Sequence, residues 1–427
     1  MPGKTLLSLR TRNAIRGNVF ILGLTSFFTD LSSEMIYPLL PVFFTGLVSA
    51  AAAPVYIGLM DGLSESTSSL LKIAAGQLSD RMGRRKPLAL AGYAISSLVR
   101  PLTALSMAGW HVVALRFLDR VGKGIRTSPR DALISGTVDS DVRGVAFSFQ
   151  RLMDHAGAFL GPLFAAAFLY SLLGRNVLWR QGGGIAGPEE MLALRWLFGI
   201  ALLPGLAATV VLWRFVSEPS RRSAREYPNG VPESTGALPS RFYIFLAAVT
   251  LFTLGNSSDL FLIYYAQSRF GLGLGWMIVL WMLLHLSKIA FSLPGGMLSD
   301  RFGRRPVIAA GWLLYIGIYT AMPFSGELWT VCALLTIYGA YYGMTEGAER
   351  ALVADFVPPD LHGRAYGLYH GAVGLAALPA SLLFGVFWSA LGPKAAFLIG
   401  AALATVALLI LVLFVAGGNH RETSHGV

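Results

Sequence analysis

Cysteine is almost missing, with Cys332 alone among 427 residues. A single thiol excludes an intrachain disulfide and leaves no cysteine-rich metal cluster. Charge is scarce too. Asp, Glu, Lys and Arg make up 13% of the chain, against the roughly 25% that a water-facing globular surface carries. That shortage excludes an ordinary soluble protein, and a mean hydropathy of +0.60 makes lipid the solvent. The H-E-x-x-H, G-x-S-x-G and clustered Cys/His patterns of metalloproteases, serine hydrolases and zinc sites are absent as well. Gly182-Gly183-Gly184 follows no strand pattern, so it is no phosphate loop. No cofactor, metal or enzymatic activity is expected.

What the chain has is apolar length. Runs bounded by charge or Gly/Pro breaks predict twelve helices, each long enough to cross a bilayer of about 30 Å. They fall near 18–47, 54–79, 87–108, 110–134, 144–171 and 191–215, then 241–268, 273–299, 306–325, 328–354, 364–390 and 394–416. Residues 217–240, with Glu218, Pro219, Arg221, Arg222, Arg225, Pro228 and Pro232, read as a polar linker. The organisation expected is a first six-helix bundle over 1–216, a cytoplasmic linker over 217–240 and a second bundle over 241–427. The first run follows Lys4, Arg10, Arg12 and Arg16 as in a signal peptide, but contains Asp30, Glu34, Pro38 and Pro41. It is also about twice the length of a cleaved apolar region, so it reads as a retained span.

The formal charge of +11 is explained by topology rather than by nucleic acid. Basic residues gather in the N-terminal tail, the linker, the loop after helix two (Arg81, Arg84, Arg85, Lys86) and the loop after helix eight (Arg301, Arg304, Arg305). The opposite loops hold few, Arg175 and Arg180 being the exception. By the positive-inside rule both termini face the cytoplasm, in a multi-pass protein of the cell (plasma or inner) membrane.

An internal repeat divides the chain. Gly76-Gln-Leu-Ser-Asp80-Arg81-Met-Gly83-Arg84-Arg85 returns as Gly296-Met-Leu-Ser-Asp300-Arg301-Phe-Gly303-Arg304-Arg305. Arg130-Asp131-Ala132-Leu133 is echoed by Glu349-Arg350-Ala351-Leu352, and Ser32-Ser33-Glu34 by Ser257-Ser258-Asp259, at nearly the same offset. Two homologous halves that both start inside are related by an axis along the membrane normal. The fold expected is all-α and integral to the membrane: twelve transmembrane helices in two pseudo-symmetric six-helix bundles.

The decamer G-x-L-x-D-R-x-G-R-R in both loops resembles the signature loop of the major facilitator superfamily, and span count and linker agree. Arg116-Phe-Leu-Asp119-Arg120-Val-Gly122-Lys123-Gly124 resembles the family's R-x-x-Q-G-x-G motif in helix four, with Asp119 and Arg120 departing from it. Gly157-Ala-Phe-Leu-Gly161-Pro162 resembles the first part of the helix-five motif of drug/proton antiporter-like members, without its trailing glycine pair. The resemblance implies transport by alternating access, with Gly157, Gly161 and Pro162 as a helix-five hinge.

Several site expectations follow from the residues. Gly76 and Gly296 let helices approach closely. Asp80 and Asp300 end helices where a carboxylate can cap another helix N-terminus and meet nearby arginines. With Arg81, Gly83, Arg84, Arg301, Gly303 and Arg304 they make two gating loops. Helices three, six, nine and twelve are nearly free of charge, Arg100 and Arg195 excepted, so this set faces lipid and the others enclose a polar cavity. Asp30 and Glu34 share one face of helix one, continued by Tyr37; Asp61 and Glu65 repeat that spacing in helix two. Carboxyls embedded in low dielectric are natural proton-coupling sites. Arg116, Arg120, Lys123 and Arg130 form a cationic stripe on helix four. It reads as an anion-binding wall or as a structural network with Asp30, Glu34, Asp61, Glu65 and Asp154, and near balance of charge favours the network. In the second half Asp259 matches Glu34, His285 and Lys288 share a face, and Glu346 and Arg350 stand at i, i+4. Trp276, Trp281, Tyr264 and Tyr265 fit either a cavity wall or an interfacial belt. Tyr37, Arg116, Asp119, Arg120, Lys123, Asp154, Asp259, His285, Lys288 and Glu346 are therefore the expected cavity residues. The function expected is proton-coupled efflux of a small organic solute by a monomer. The alternative is proton-coupled uptake of an organic anion on the helix-four cations.

Overall fold

A computed structural model describes residues 14–48, 53–174, 186–218, 237–256, 259–270 and 274–415. Regular structure among them is helical, and it groups into twelve spans. Span α1 is Asn18–Glu34 continued, past a 3-10 turn at Tyr37–Leu39, by Leu40–Thr45. Then come α2 (Ala53–Met82), α3 (Lys86–Leu102), α4 (Gly109–Ser135), α5 (Arg143–Leu173) and α6 (Pro188–Ile200 with Leu202–Phe215). The second half has α7 (Ser240–Gly255 with Asp259–Phe270), α8 (Leu274–Phe302), α9 (Arg304–Ala321), α10 (Leu328–Asp355), α11 (His362–Leu391) and α12 (Pro393–Phe414). Eight of the described helical segments are long and apolar enough to cross a membrane by length and composition. The segments outside that set, among them α2, α4 and α10, carry embedded charge or are interrupted.

Local chemistry sets the boundaries. Pro38 and Pro41 cannot donate in a helix interior, so α1 breaks where the sequence reading ran one helix over 18–47. Span α3 starts at Lys86 with Pro87 in its first turn, and the Glu218 carboxylate accepts from the backbone N–H of Arg85 (2.6 Å) and Lys86 (2.9 Å). Gly83 and Gly303, at matching positions of the repeat, have φ of 60° and 93°. That left-handed backbone costs a side chain and lets α2–α3 and α8–α9 reverse in a tight turn.

Within each half, α1 lies along α5 and α6, α2 along α4, and α3 along α4; their counterparts are α7 on α11 and α12, α8 on α10, and α9 on α10. Leu98, Leu203, Leu313 and Leu413, on α3, α6, α9 and α12, are more than half exposed, as a lipid-facing set requires. Arg100, the exception on α3, points its guanidinium inward and is buried, because it has acceptors there. Stacked and tilted rings of Phe252, Trp312, Tyr315, Tyr319, Tyr338 and Tyr341 fill the second half, each pair contributing about 0.5–1.5 kcal/mol beyond area. The halves meet through α2 against α11, α5 against α8 and α10, and α4 against α11.

Candidate functional site

At the end of the molecule that holds the two decamer loops, each half caps a helix of the other. Asp80 of α2 accepts from the backbone N–H of Gly363 (3.0 Å) and Arg364 (2.6 Å), the first turn of α11. Asp300 of α8 accepts from Gly144 (2.9 Å) and Val145 (2.7 Å), the first turn of α5. A carboxylate on two free N–H groups at a helix N-terminus satisfies orphan donors and the helix dipole together. The close approach needs glycine: a Cβ on Gly76 would strike the Gly363 carbonyl, and one on Gly296 the Gly144 carbonyl. Repeat symmetry stops at the arginines. Arg304 holds Asp300, Asp355 (3.4 Å) and the Ser140 carbonyl, whereas its match Arg84 is exposed. Arg85 takes that part instead, 3.8 Å from Asp80 and bonded to the carbonyls of Ala132 (2.9 Å) and Pro359. Burial lowers the basicity of the Arg85 guanidinium, while Asp80 and Glu218 beside it act the other way. Arg81 and Arg301 are exposed.

A second inter-half layer lies deeper, and the sequence reading did not find it. Asp131 is fully buried and meets Arg130 (2.8 Å), His370 of α11 (2.7 Å) and Arg350 of α10 (3.4 Å). Back at the loop end, Ser135 and His362 Nδ1 are 2.9 Å apart across the seam, and Arg143 joins Arg304 on Asp355 at 2.8 Å. Spacing alone pairs Arg350 with Glu346. Here each reaches across instead, Arg350 to Asp131 and Glu346 to His155 of α5 (3.1 Å). The one available signal was the echo of Arg130-Asp131 in Glu349-Arg350.

Further from the loops the embedded charges spread over both halves. Asp119 is clamped between Arg100 (2.8 Å) and Arg116 (3.1 Å) in the α3–α4 contact. Arg116 also lies over the Tyr37 ring at 4.4 Å. Asp154 is held by Arg151 (2.8 Å) and Gln150 (2.7 Å). Asp30 and Glu34 are half-buried, and among the described residues neither carboxylate makes an ion pair or hydrogen bond. Glu34 lies in the field of Arg116, Arg120 and Lys123, Asp30 in that of Asp154 and Lys123. Among the described residues the stripe thus acts on these two acids through space, while Arg116 pairs directly with Asp119 and Arg130 with Asp131 of α4 itself. Asp61 and Glu65 lie on α2, their side chains outside the described residues. Gly157 and Gly161 seat α1 against α5: a Cβ on Gly157 would strike the Phe27 carbonyl, and one on Gly161 the Glu34 Cβ. Span α5 runs unbroken through Pro162.

Facing them, Asp259 of α7 accepts from Lys288 (2.7 Å), Tyr338 (3.1 Å) and Tyr342 (3.0 Å). His285 is buried, its ring 5.5 Å from that of His155 and 5.0 Å from Trp281. Tyr265 packs on Phe397 and Trp388, and Trp276 is exposed; the Tyr264 side chain lies outside the described residues. No described group of three or more His, Cys, Asp and Glu is placed to hold a metal. The arrangement is a split bundle: charges at mid-depth on both walls, two charged layers closing one end.

The chain matches the family model of the Major Facilitator Superfamily over residues 22–287 and 272–425. It is 32% identical over 401 residues to an uncharacterized MFS-type transporter of Methanocaldococcus jannaschii, covering 92% of this chain and 94% of that one. It is 28% identical over 163 residues to the multidrug resistance protein MdtH of Proteus mirabilis, 38% of this chain and 40% of that one. Among solved structures it superposes on the Escherichia coli fucose:proton symporter FucP with a TM-score of 0.73 at 15% identity, covering 94% of this chain and 98% of the other. The human organic anion transporter MFSD10 gives 0.73 at 17% identity, over 92% and 98%. At those identities the structural likeness is one of fold.

Proposed function

We propose, since the chain belongs to the major facilitator superfamily, that it couples protons to the outward movement of a small organic solute. It is a membrane transporter of small solutes. Rocking of one six-helix half against the other about the central charges would expose them to each side in turn. The observation that carries proton coupling is the pair Asp30 and Glu34, half-buried and without a basic partner in direct contact among the described residues. A carboxylate left so in low dielectric is costly, and taking up a proton removes that cost. The partial helix-five motif, and the name of the relative MdtH, favour efflux.

We read the loop end as cytoplasmic, from its arginines and lysines, so the halves are closed toward the cytoplasm and both termini lie there. Bundles over 1–216 and 241–427 joined by the linker 217–240, residence in the cell membrane, and a working monomer complete the reading. Uptake of an organic anion on the helix-four cations has weaker support, since Arg116 is already committed to Asp119 and Tyr37. That reading requires Arg116→Ala to abolish thermal protection by anions selectively.

The test uses purified protein in liposomes with a trapped pH dye, challenged with cationic, neutral and anionic compounds in turn. Luminal alkalinisation on adding solute is expected. Asp30→Asn or Glu34→Gln should abolish uphill transport while downhill exchange survives. Equal uphill rates in wild type and both variants would refute coupling at this pair, and acidification on solute entry would make the carrier a symporter.

A further inference from the structure

We infer that His285, with His155 and Trp281, forms a subsite that takes an uncharged hydrogen-bonding group of the transported solute; this rests on the transport reading above. The placement comes first. His285 lies fifteen residues before Asp300 on α8, about 22 Å from the loop end at 1.5 Å per residue, so it sits near mid-depth. Its ring contacts Trp281 of its own helix, edge-on at 5.0 Å, and His155 of the opposite half at 5.5 Å. It therefore stands on the seam that must part and re-form during transport.

His285 is 7% exposed, yet neither Nδ1 nor Nε2 has a hydrogen-bond partner among the described residues. A histidine serving only to join helices would bond a carbonyl or hydroxyl; leaving a buried polar group unmatched is costly. A solute group that bonds to the imidazole recovers that cost, and a buried group poised this way is what a binding site needs.

The neighbours choose the class. Glu346 bonds His155 at 3.1 Å and lies in the field of Arg151, and Lys288 is matched by Asp259 at 2.7 Å with the Tyr342 ring below it at 3.7 Å. Each formal charge beside His285 is thus already opposed. A carboxylate brought here would face Glu346, an ammonium would face Lys288, and either would lose its hydration without a counter-charge. A neutral imidazole offers one donor and one acceptor, which suits an alcohol, carbonyl or amide. The indole of Trp281 adds an apolar face for a ring carried by the same solute.

The experiment uses a size-matched series, benzamide, benzyl alcohol, benzoate and benzylammonium, titrated against the full-length protein in detergent. Binding is read by tryptophan emission, with Trp281→Phe to assign the signal. Benzamide or benzyl alcohol should saturate a change that Trp281→Phe removes, and the two charged members should bind about 10-fold more weakly or worse. His285→Leu should weaken the neutral ligands about 10-fold, and His285→Asn, which keeps a donor and an acceptor, should stay within about threefold of wild type. Monodisperse elution and an unchanged melting temperature show that each variant folds. The inference is overturned if a charged member binds best, if His285→Leu binds benzamide as wild type does, or if no member binds up to about 10 mM. Failure here leaves the proton assay of Asp30 and Glu34 untouched; silence in that assay leaves benzamide binding readable.

Discussion

Replacing Asp300 by Asn tests whether the charged caps hold the loop end shut. The carboxylate receives two backbone N–H groups of α5, at 2.9 and 2.7 Å, and binds Arg304. Hydrogen bonds to a charged group contribute about 1.5–3 kcal/mol each, and charge at a partly buried helix N-terminus adds up to about 2 kcal/mol. Asparagine keeps an acceptor of the same shape and loses the charge. A net loss of about 2–3 kcal/mol is therefore expected for the closed arrangement, a shift of about 30- to 150-fold in the closed-to-open ratio. Asp80 makes the matching contact with Gly363 and Arg364, so Asp80→Asn with Asp300→Asn should shift it further. The assay is electron–electron distance measurement between spin labels at Arg81→Cys and Arg301→Cys, both exposed, in a Cys332→Ser background. A longer-distance population should appear with Asp300→Asn and dominate in the double variant. An unchanged distribution in a folded double variant would mean that these bonds do not hold the halves, and the latch argument would fail.

Three further outcomes follow from the same contacts. Asp119→Leu leaves Arg100 and Arg116 buried without their shared carboxylate and should cost about 3–5 kcal/mol, read as a fall of many degrees in the melting temperature; a change within two degrees would deny Asp119 its scaffold role. Asp131→Asn weakens a contact that spans the halves through His370 and Arg350, so it should increase alkylation of a cysteine placed at Ser135; equal labelling rates would place the seam's strength elsewhere. Gly76→Val drives a side chain into the Gly363 carbonyl and should stop the loop end from closing, which the same spin-label pair would show as loss of the short distance.

Much of the fold was legible because a bilayer imposes one-dimensional rules. Twelve apolar runs, the Gly76–Arg85 and Gly296–Arg305 repeat, and the low charge of α3, α6, α9 and α12 required no contact to be known. The caps at Asp80 and Asp300 were legible in kind, since an acid at a helix end beside arginines has few uses. Their targets were not, because each lies in the other half and hundreds of residues or more than a hundred away in sequence. Glu346 and Arg350 show where spacing misleads: i, i+4 permits a pair, but partners across the seam at His155 and Asp131 compete and prevail.

By itself, then, the sequence determined what lipid and chain geometry dictate: the solvent, the spans, the twofold repeat and which helices can bear charge. Only the tertiary structure decided which charges meet. Arg100 turns inward to Asp119, Asp131 gathers a histidine and an arginine from the other half, and His285 lies buried against Trp281 and His155 with its nitrogens unmatched among the described residues. The reason is physical: apolar burial in a membrane depends on the residue alone, whereas an ion pair depends on two side chains sharing a few ångströms, which only packing arranges.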